Sequence, residues 1–282
     1  MKAFISVDME GMPYIVSVEH LLPKKSLYDE ARKIMTRVTR VVCEELYSNG
    51  FKDIIVADSH AMMINLLVDE LPDYVSIIRG APRVLSMVSL INECDVALFL
   101  GYHAKYGTAR AVLDHTYSGS TIRRIEINGV EVSECLFNAY IAGHYNVPVI
   151  LVAGDERLIE DDVKKYLPWA EYVVLKKSLG RYAALSKSFK VLEEELRVKV
   201  RRACEKFSKG EVKPLKTKYP VHVRMELISS IYAEFAELIP GIRRINGLTI
   251  EFEAKDVVEA FKIMQVIILL GVGIRAVTSS VS

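Results

Sequence analysis

The sequence has few cysteines and almost no surplus of charge of either sign. Its four cysteines lie far apart along the chain, which disfavours a disulfide framework or a zinc ribbon and favours a reducing compartment: Cys43, Cys94, Cys135 and Cys204. The 37 basic and 36 acidic residues leave a net charge of +1. A general nucleic-acid-binding protein needs a basic surplus to neutralise phosphates, so we expect no nucleic-acid partner.

Long hydrophobic runs are also scarce. The first eleven residues, MKAFISVDMEG, include acidic side chains and no extended apolar stretch, unlike a secretory signal peptide. The longest apolar stretch, residues 263–274, is about half of the ~20 residues that a membrane-spanning helix needs. The sequence therefore predicts a cytoplasmic protein with no membrane partner.

Short runs rich in Val and Ile alternate with longer stretches of helical period in the first half of the chain. Strands are predicted at 3–7, 53–57, 75–78 and 95–100, and helices at 25–48, 61–71 and 82–91. This alternation is typical of a mainly parallel sheet covered by helices on both faces. We therefore predict an α/β fold with a three-layer α/β/α N-terminal domain.

The pattern changes further along the chain. The dipeptide Asn128-Gly129 predicts a tight hairpin between strands 123–127 and 130–133. Helices are predicted at 134–144 and 158–167, and strands at 147–152 and 171–175. A charged helix at 189–209 and a polar linker at 210–218 precede a strand, helix, strand, helix pattern at 221–227, 231–238, 247–254 and 256–270. We predict an α/β metal-binding catalytic domain over 1–185 and a smaller α+β domain over 186–282.

Metal-competent side chains follow three of the predicted parallel strands. Asp8 and Glu10 follow the first strand, His60 the second and His103 the fourth. Because the carboxyl ends of parallel strands meet at one edge of the sheet, we expect these four side chains to lie close together. Two carboxylates that face each other repel unless a cation or a proton lies between them. The imidazoles expected at the same edge favour a cation, because they are metal ligands too. Each strand end alone is more often a loop feature or a hydrogen-bonded histidine, so the prediction depends on their coincidence.

A fifth candidate ligand is Glu134, which begins a predicted helix where the N-terminal dipole favours a carboxylate. Five ligands exceed what one catalytic zinc needs and suit a two-metal site, with Asp8 as the bridging carboxylate. Carboxylate and imidazole ligands favour zinc, with manganese or cobalt as alternatives. The remaining histidines have no metal-competent neighbours at ligand spacing and are predicted to have ordinary structural roles: His20, His144 and His222.

His115 lies in the long polar loop after the fourth strand. Loops over this edge of a sheet often carry catalytic groups, so His115 is a candidate base, nucleophile or proton shuttle, with a solvated loop histidine as the alternative. The sequence has no glycine-rich phosphate loop, no G-x-S-x-G motif and no H-E-x-x-H motif. This disfavours nucleotide-dependent enzymes, serine hydrolases and zincin-type proteases.

Five ordered segments together resemble the bacterial and archaeal D-aminopeptidase family, whose members are often labelled dipeptide transport protein A. These segments are SVDMEG (6–11), ADSHAMMINL (57–66), LFLGYHA (98–104), the loop around Asp114-His115, and INGVEVSECLFNAYIAGHYNVPVILVAGD (127–155). The similarity continues more weakly through residues 223–261. It therefore covers nearly the whole chain.

The resemblance implies a binuclear zinc peptidase that removes N-terminal D-residues, notably D-alanine, from short peptides and assembles as a homodecamer. One zinc would take Asp8, Glu10 and His60, the other Asp8, His103 and Glu134, and His115 would be catalytic. We predict that the second domain serves oligomerisation and access to the active site. The sequence departs from the family pattern at Met12-Pro13-Tyr14 and at Asp114 and Thr116, both near the expected substrate pocket.

Two other functions remain as alternatives. A different metal-dependent amidase or phosphoesterase would use the same ligands on another substrate. A peptide-binding component of a dipeptide transporter would bind short peptides without hydrolysis.

Overall fold

The structure, a computed structural model, describes residues 1–279 as two sheets with helices packed on them. In chain order the strands are β1 (Lys2–Val7), β2 (Asp53–Asp58), β3 (Val75–Ile78), β4 (Val96–Tyr102), β5 (Ile122–Ile127), β6 (Val130–Glu131), β7 (Val149–Asp155), β8 (Glu171–Gly180), β9 (Ala183–Leu185), β10 (Val221–Leu227), β11 (Arg243–Arg244) and β12 (Thr249–Ala254). The α-helices are α1 (Tyr28–Ser48), α2 (Glu134–His144), α3 (Glu156–Leu158), α4 (Lys164–Tyr166), α5 (Phe189–Ser208), α6 (Ser230–Ala236) and α7 (Val257–Ser279); the π-helical turn Ile159–Val163 joins α3 to α4.

The first sheet has seven strands in the order β3-β2-β1-β4-β7-β8-β9. All neighbouring pairs are parallel except β8 with β9. Apolar side chains of α1 and α5 bury one face of the sheet, and α2 packs on the opposite face. This arrangement confirms the predicted α/β fold with a mainly parallel sheet.

The second sheet is antiparallel, in the order β11-β12-β10-β5-β6. Along β10 the side chains alternate between buried apolar residues and exposed polar ones, which leaves one face for the core and one for solvent. Strands β5 and β6 come from before residue 185, while α5, from after it, packs against the first sheet. The two sheets therefore do not divide the chain at residue 185, and the domain boundary stays a prediction.

Two predicted helices are wrong. Residues 61–71 and 82–91 form turns with only the short 3₁₀ segments Val68–Glu70, Ser86–Val88 and Ile91–Glu93. In the first segment, Ala61 and Met63 have φ of 50° and 58°, which no right-handed helix accepts. The backbone N–H groups of Asn65 and Leu66 instead donate to the buried Asp58 carboxylate, at 2.5 and 2.8 Å. Side-chain acceptors thus replace the helical hydrogen bonds.

The last helix, α7, is longer than predicted and spans 23 residues. By length and composition it could cross a membrane, so the prediction from the shorter apolar run was too restrictive. The core helix of a soluble protein meets the same criteria, and 39% of the helix's most apolar 18-residue window is buried against the rest of the chain. The side chains of Phe261, Met264 and Ile267 lie in this core, whereas Val266 and Leu269 are about half exposed.

Candidate metal centre

The segment after β1 carries Asp8 and Glu10 over the carboxyl end of the first sheet. The Asp8 N–H donates to the Leu100 carbonyl at 2.8 Å, and the Gly11 N–H donates to Gly101 at 2.7 Å. A Cβ at Gly11 would lie 1.9 Å from the Tyr102 carbonyl oxygen, so only glycine fits this close approach. These contacts hold both carboxylates beside the end of β4, and both are almost fully buried.

His60 lies two residues after β2 and is fixed at both ring nitrogens. Its Nε2 is 2.8 Å from the Leu21 carbonyl, and its Nδ1 is 2.8 Å from Glu10 Oε2 and 3.4 Å from Asp8 Oδ1. Because a carbonyl can only accept, Nε2 carries a proton and Nδ1 is the atom that faces the carboxylates.

His103 and Glu134 complete the cluster from the other side of Asp8. The His103 Nδ1 donates to the Ala104 carbonyl at 2.9 Å, which turns Nε2 toward Asp8 Oδ2 and Glu134 Oε1, each 3.5 Å away. Glu134 is the first residue of α2, whose N-terminus is capped by the Ser133 hydroxyl. The N–H of Tyr117 also donates to Glu134 Oε1 at 2.6 Å.

The donor atoms of this cluster fit divalent cations. The Asp8 Oδ2 and His103 Nε2 atoms are both buried and have no hydrogen-bond partner within residues 1–279. Buried polar atoms are rarely left unpaired, since each costs on the order of 1–3 kcal/mol. Carboxylate oxygens and imidazole nitrogens are the ligands that zinc takes in catalytic sites. Two groups of side chains have ligand atoms within 4.8 Å of one another: Asp8, Glu10 and His103, and His103, His115 and Glu134.

His115 lies at the open side of the cluster, and its side chain is 23% exposed. Its ring stacks on the ring of His103, with centroids 4.3 Å apart. The Nδ1 donates to the Leu113 carbonyl at 2.9 Å, so Nε2 is left to face Glu134 Oε1 at 3.5 Å and Glu10 Oε1 at 3.9 Å. An imidazole with a free nitrogen beside the cluster can exchange a proton with a bound molecule.

The charges of the side chains in this cluster compensate one another. Burial would lower the pKa of His103, but Glu134 and Asp8 outweigh it and raise this pKa to about 10. Burial and the neighbouring Glu10 raise the pKa of Asp8 to about 7. The pKa of Glu10 is held well below its usual value, because attraction to His60 outweighs the effect of burial. Imidazolium protons thus balance the carboxylates where cations would otherwise be needed.

A cavity of about 570 Å³ opens over the cluster. Its floor includes Asp8, Glu10, His60, His115 and Glu134, and its walls are mainly apolar. Its apolar lining includes Val18, Leu21 and Leu22, residues 61–63, and Ile268, Leu269 and Val272 of α7. The volume suits a small ligand such as a short peptide.

The structure brings together all six residues predicted for the site: Asp8, Glu10, His60, His103, His115 and Glu134. The other histidines lie in local contacts away from it: His20 with Ser17, His144 with Tyr219 and His222 with Glu253. All four cysteines in the described chain are buried free thiols, as expected for a protein without disulfides.

Two buried supporting residues were missed by sequence reasoning. The Lys176 amine, in the middle of β8, donates to the backbone carbonyls of Glu10 and Ile15. Asp155, at the end of β7, accepts from the N–H groups of Ala104 and Leu158. A lysine pair directly after the apolar run 172–175 and an acid at a fifth strand end were the available signals.

Comparison with known proteins gives a consistent result over the whole fold. A family model described as D-aminopeptidase matches residues 1–266. The chain is 34% identical to a D-aminopeptidase of Bacillus subtilis (strain 168) over 268 residues, which cover 94% of this chain and 96% of that protein. The structure also matches the Zn-dependent D-aminopeptidase DppA from Bacillus subtilis, described as a self-compartmentalizing protease, with a TM-score of 0.91 over 96% of this chain and 98% of that one. The chain therefore belongs to the D-aminopeptidase family.

Proposed function

We propose that the protein is a zinc-dependent aminopeptidase that holds two metal ions per chain and hydrolyses short peptides with an N-terminal D-residue. The observation that carries the proposal is the pair of unpaired buried atoms, Asp8 Oδ2 and His103 Nε2, at the centre of a carboxylate and imidazole cluster. Membership of the D-aminopeptidase family supports the same reaction.

The Asp8 carboxylate divides the proposed ligands into two sets. Asp8, Glu10 and His60 would hold one ion, and Asp8, His103 and Glu134 the other. When bound, zinc polarises a peptide carbonyl and lowers the pKa of water. The Leu21 and Ala104 carbonyls fix the tautomers of His60 and His103, so each presents a lone pair to its ion.

His115 would move the proton. Its Nε2 is free to accept a proton from the attacking group and to return it to the departing amine, while Nδ1 stays bonded to the Leu113 carbonyl. The carboxylate of Glu134, 3.5 Å from Nε2, stabilises the protonated ring between these two events.

The substrate proposal combines the cleft with the relatives. A cavity of about 570 Å³ with apolar walls accommodates a short peptide but not a folded protein. The preference for an N-terminal D-residue is supported by the name of the Bacillus subtilis relative, which is 34% identical.

We also propose that the chain works as a homo-oligomer, with a decamer as the expected size. The matched structure is described as self-compartmentalizing. In this chain the exposed apolar side chains of α7, Val266, Leu269 and Val272, border the cleft or lie next to it. A second copy packed there would bury apolar surface and enclose the site. Native mass spectrometry of the wild type and Leu269→Glu tests this, with dissociation expected for the variant.

The function is tested by elemental analysis of the purified protein beside assays on D-alanyl and L-alanyl p-nitroanilides. We expect two zinc ions per chain and faster hydrolysis of the D-alanyl than of the L-alanyl compound. A chelator should remove the zinc and abolish the hydrolysis. Hydrolysis of p-nitrophenyl phosphate but not of the anilides would favour a phosphoesterase. Peptide binding without turnover by the zinc-loaded protein would favour a transport component.

A further inference from the structure

The turn between β8 and β9 binds the loop that carries His115. The Arg181 guanidinium forms an ion pair with the Asp114 carboxylate and also donates to the Asp114 backbone carbonyl at 3.3 Å. The Arg181 carbonyl in turn accepts from the Leu113 N–H at 3.1 Å. Arg181 therefore binds the backbone of both residues that precede His115 and also the side chain of Asp114.

These contacts affect the orientation of the His115 ring. The Leu113 carbonyl accepts the hydrogen bond from His115 Nδ1 at 2.9 Å, which sets the tautomer and the direction of the ring. The orientation of that carbonyl depends on the backbone at residues 113 and 114, where Arg181 is bound. A continuous set of contacts thus links Arg181 to the imidazole nitrogen that faces the metal centre.

The loop needs such support, because its backbone is unfavourable. Leu113 and Tyr117 have φ of 53° and 56°, in the left-handed region that non-glycine residues rarely adopt. Such conformations cost on the order of 1–3 kcal/mol each and persist only where surrounding contacts fix them. On the far side of His115, Tyr117 is tied to Glu134 and Asn138. On the near side, the Asp114 carboxylate is bound by the Arg181 guanidinium and by the Gly107 N–H, which donates to Oδ2 at 2.6 Å.

We propose that Arg181 is a positioning residue for catalysis, which holds the Leu113–Asp114 backbone so that the Leu113 carbonyl orients His115 toward the metal centre. The proposal rests on the proposed function, because His115 has a catalytic role only if the site is catalytic.

The test compares Arg181→Met and Arg181→Lys with the wild type in D-alanyl p-nitroanilide hydrolysis. We expect Arg181→Met to lower kcat at least about tenfold, because displacing a catalytic group by an ångström costs up to about a hundredfold. KM and zinc content should change less than about twofold, since Arg181 contacts neither the cleft nor a ligand. Arg181→Lys, which keeps the charge, should recover most of the rate.

Two further variants separate positioning from general loop damage. Arg110→Met removes an exposed arginine from the same loop and should leave kcat unchanged. Asp114→Asn should lower kcat, and its combination with Arg181→Met should lose less than the product of the two single losses, because both break one interaction. A kcat near that of the wild type in Arg181→Met, or equal losses in Arg110→Met, would overturn the proposal.

A crystal structure of zinc-loaded Arg181→Met supplies a readout that does not depend on activity. The proposal requires the His115 ring to leave the Leu113 carbonyl, and an unmoved ring would contradict it. A wild type that holds zinc but hydrolyses no anilide would refute the proposed function, while the crystal structure would still decide whether Arg181 sets the position of His115.

Discussion

The two halves of the proposed two-metal centre share Asp8 but are held in different ways. In the half formed with Glu10 and His60, the imidazole is hydrogen-bonded to Glu10 and to the Leu21 carbonyl at 2.8 Å each. In the half formed with His103 and Glu134, the Asp8 Oδ2 and His103 Nε2 atoms have no partner among the described residues. The second half is therefore shaped for a cation in advance, whereas a cation must replace a hydrogen bond in the first.

The difference matters because preorganisation decides which ion is bound more tightly. Zinc displaces a proton from the imidazole in either half, but in the half with His103 it breaks no hydrogen bond of normal length. A site closed by an imidazole–carboxylate hydrogen bond must break that bond first. We therefore expect the half with His103 to bind the first zinc ion and the half with His60 the second.

Removing one imidazole from each half gives the largest expected effect. His60→Ala and His103→Ala should both abolish hydrolysis, because each removes a ligand from the proposed two-metal site. His60→Ala should still hold one tightly bound zinc, whereas His103→Ala should hold its remaining ion only weakly. Elemental analysis after dialysis measures the difference, and His222→Ala, an exposed histidine of β10, is the control. Two ions retained in both variants would contradict the ligand assignment.

The His115→Ala variant is expected to have the next largest effect. It should retain both ions yet lose at least ~100-fold in kcat, the lower end for a general acid–base group. The zinc content of this variant also tests the second half, because ligand atoms of His115, His103 and Glu134 lie within 4.8 Å of one another. Loss of one zinc from this variant would make His115 a ligand of the second half, and a near-normal rate would remove it from the mechanism.

Much of this arrangement was predictable from the sequence because topology alone creates it. Parallel strands place Asp8, His60 and His103 on one edge wherever they lie in the chain, and each follows its strand by at most two residues. Glu134 was predictable as the start of a helix, which begins at that residue.

The rest depends on contacts between distant segments. The direction of the His115 ring is set by a left-handed Leu113 and by Arg181, 68 positions after Leu113, which no local pattern reveals. The apolar pattern of residues 61–71 favours a helix, but the buried Asp58 carboxylate binds the backbone there instead. The first case depends on an ion pair between distant segments, and in the second a single buried carboxylate overrules local propensity.

A substitution of a residue that supports the His60 segment should weaken zinc binding in the half with His60 alone. The Asn65 amide donates to Asp58 Oδ1 at 2.7 Å and to the His60 carbonyl at 2.8 Å, so it fixes the segment that carries His60. Asn65→Ala should lower the affinity for the second zinc about 10–100-fold, as for other residues that orient metal ligands. Competition with a chelator measures both affinities, and exposed Asn92→Ala is the control. Equal weakening of both ions would show that the two halves are not independent.

Without any substitution, zinc affinity should also depend on pH. In the metal-free site the pKa of His103 is raised to about 10, since Glu134 and Asp8 outweigh the effect of burial. At pH 7 the ring is therefore protonated, and zinc must displace that proton before Nε2 can bind it. Affinity should rise with pH by about tenfold per unit for each proton displaced, up to the pKa of the group.

This dependence can be assigned to one half of the centre. In His60→Ala only the half with His103 remains, and Asp8, whose pKa is raised to about 7 by burial and by Glu10, adds a fraction of a second proton. Calorimetric titration of the metal-free variant with zinc, in buffers of different ionisation enthalpy, counts the protons released. We expect between one and two per ion at pH 7. A zinc affinity that is independent of pH would mean that the His103 nitrogen is not a ligand, because an imidazolium cannot bind zinc without losing its proton.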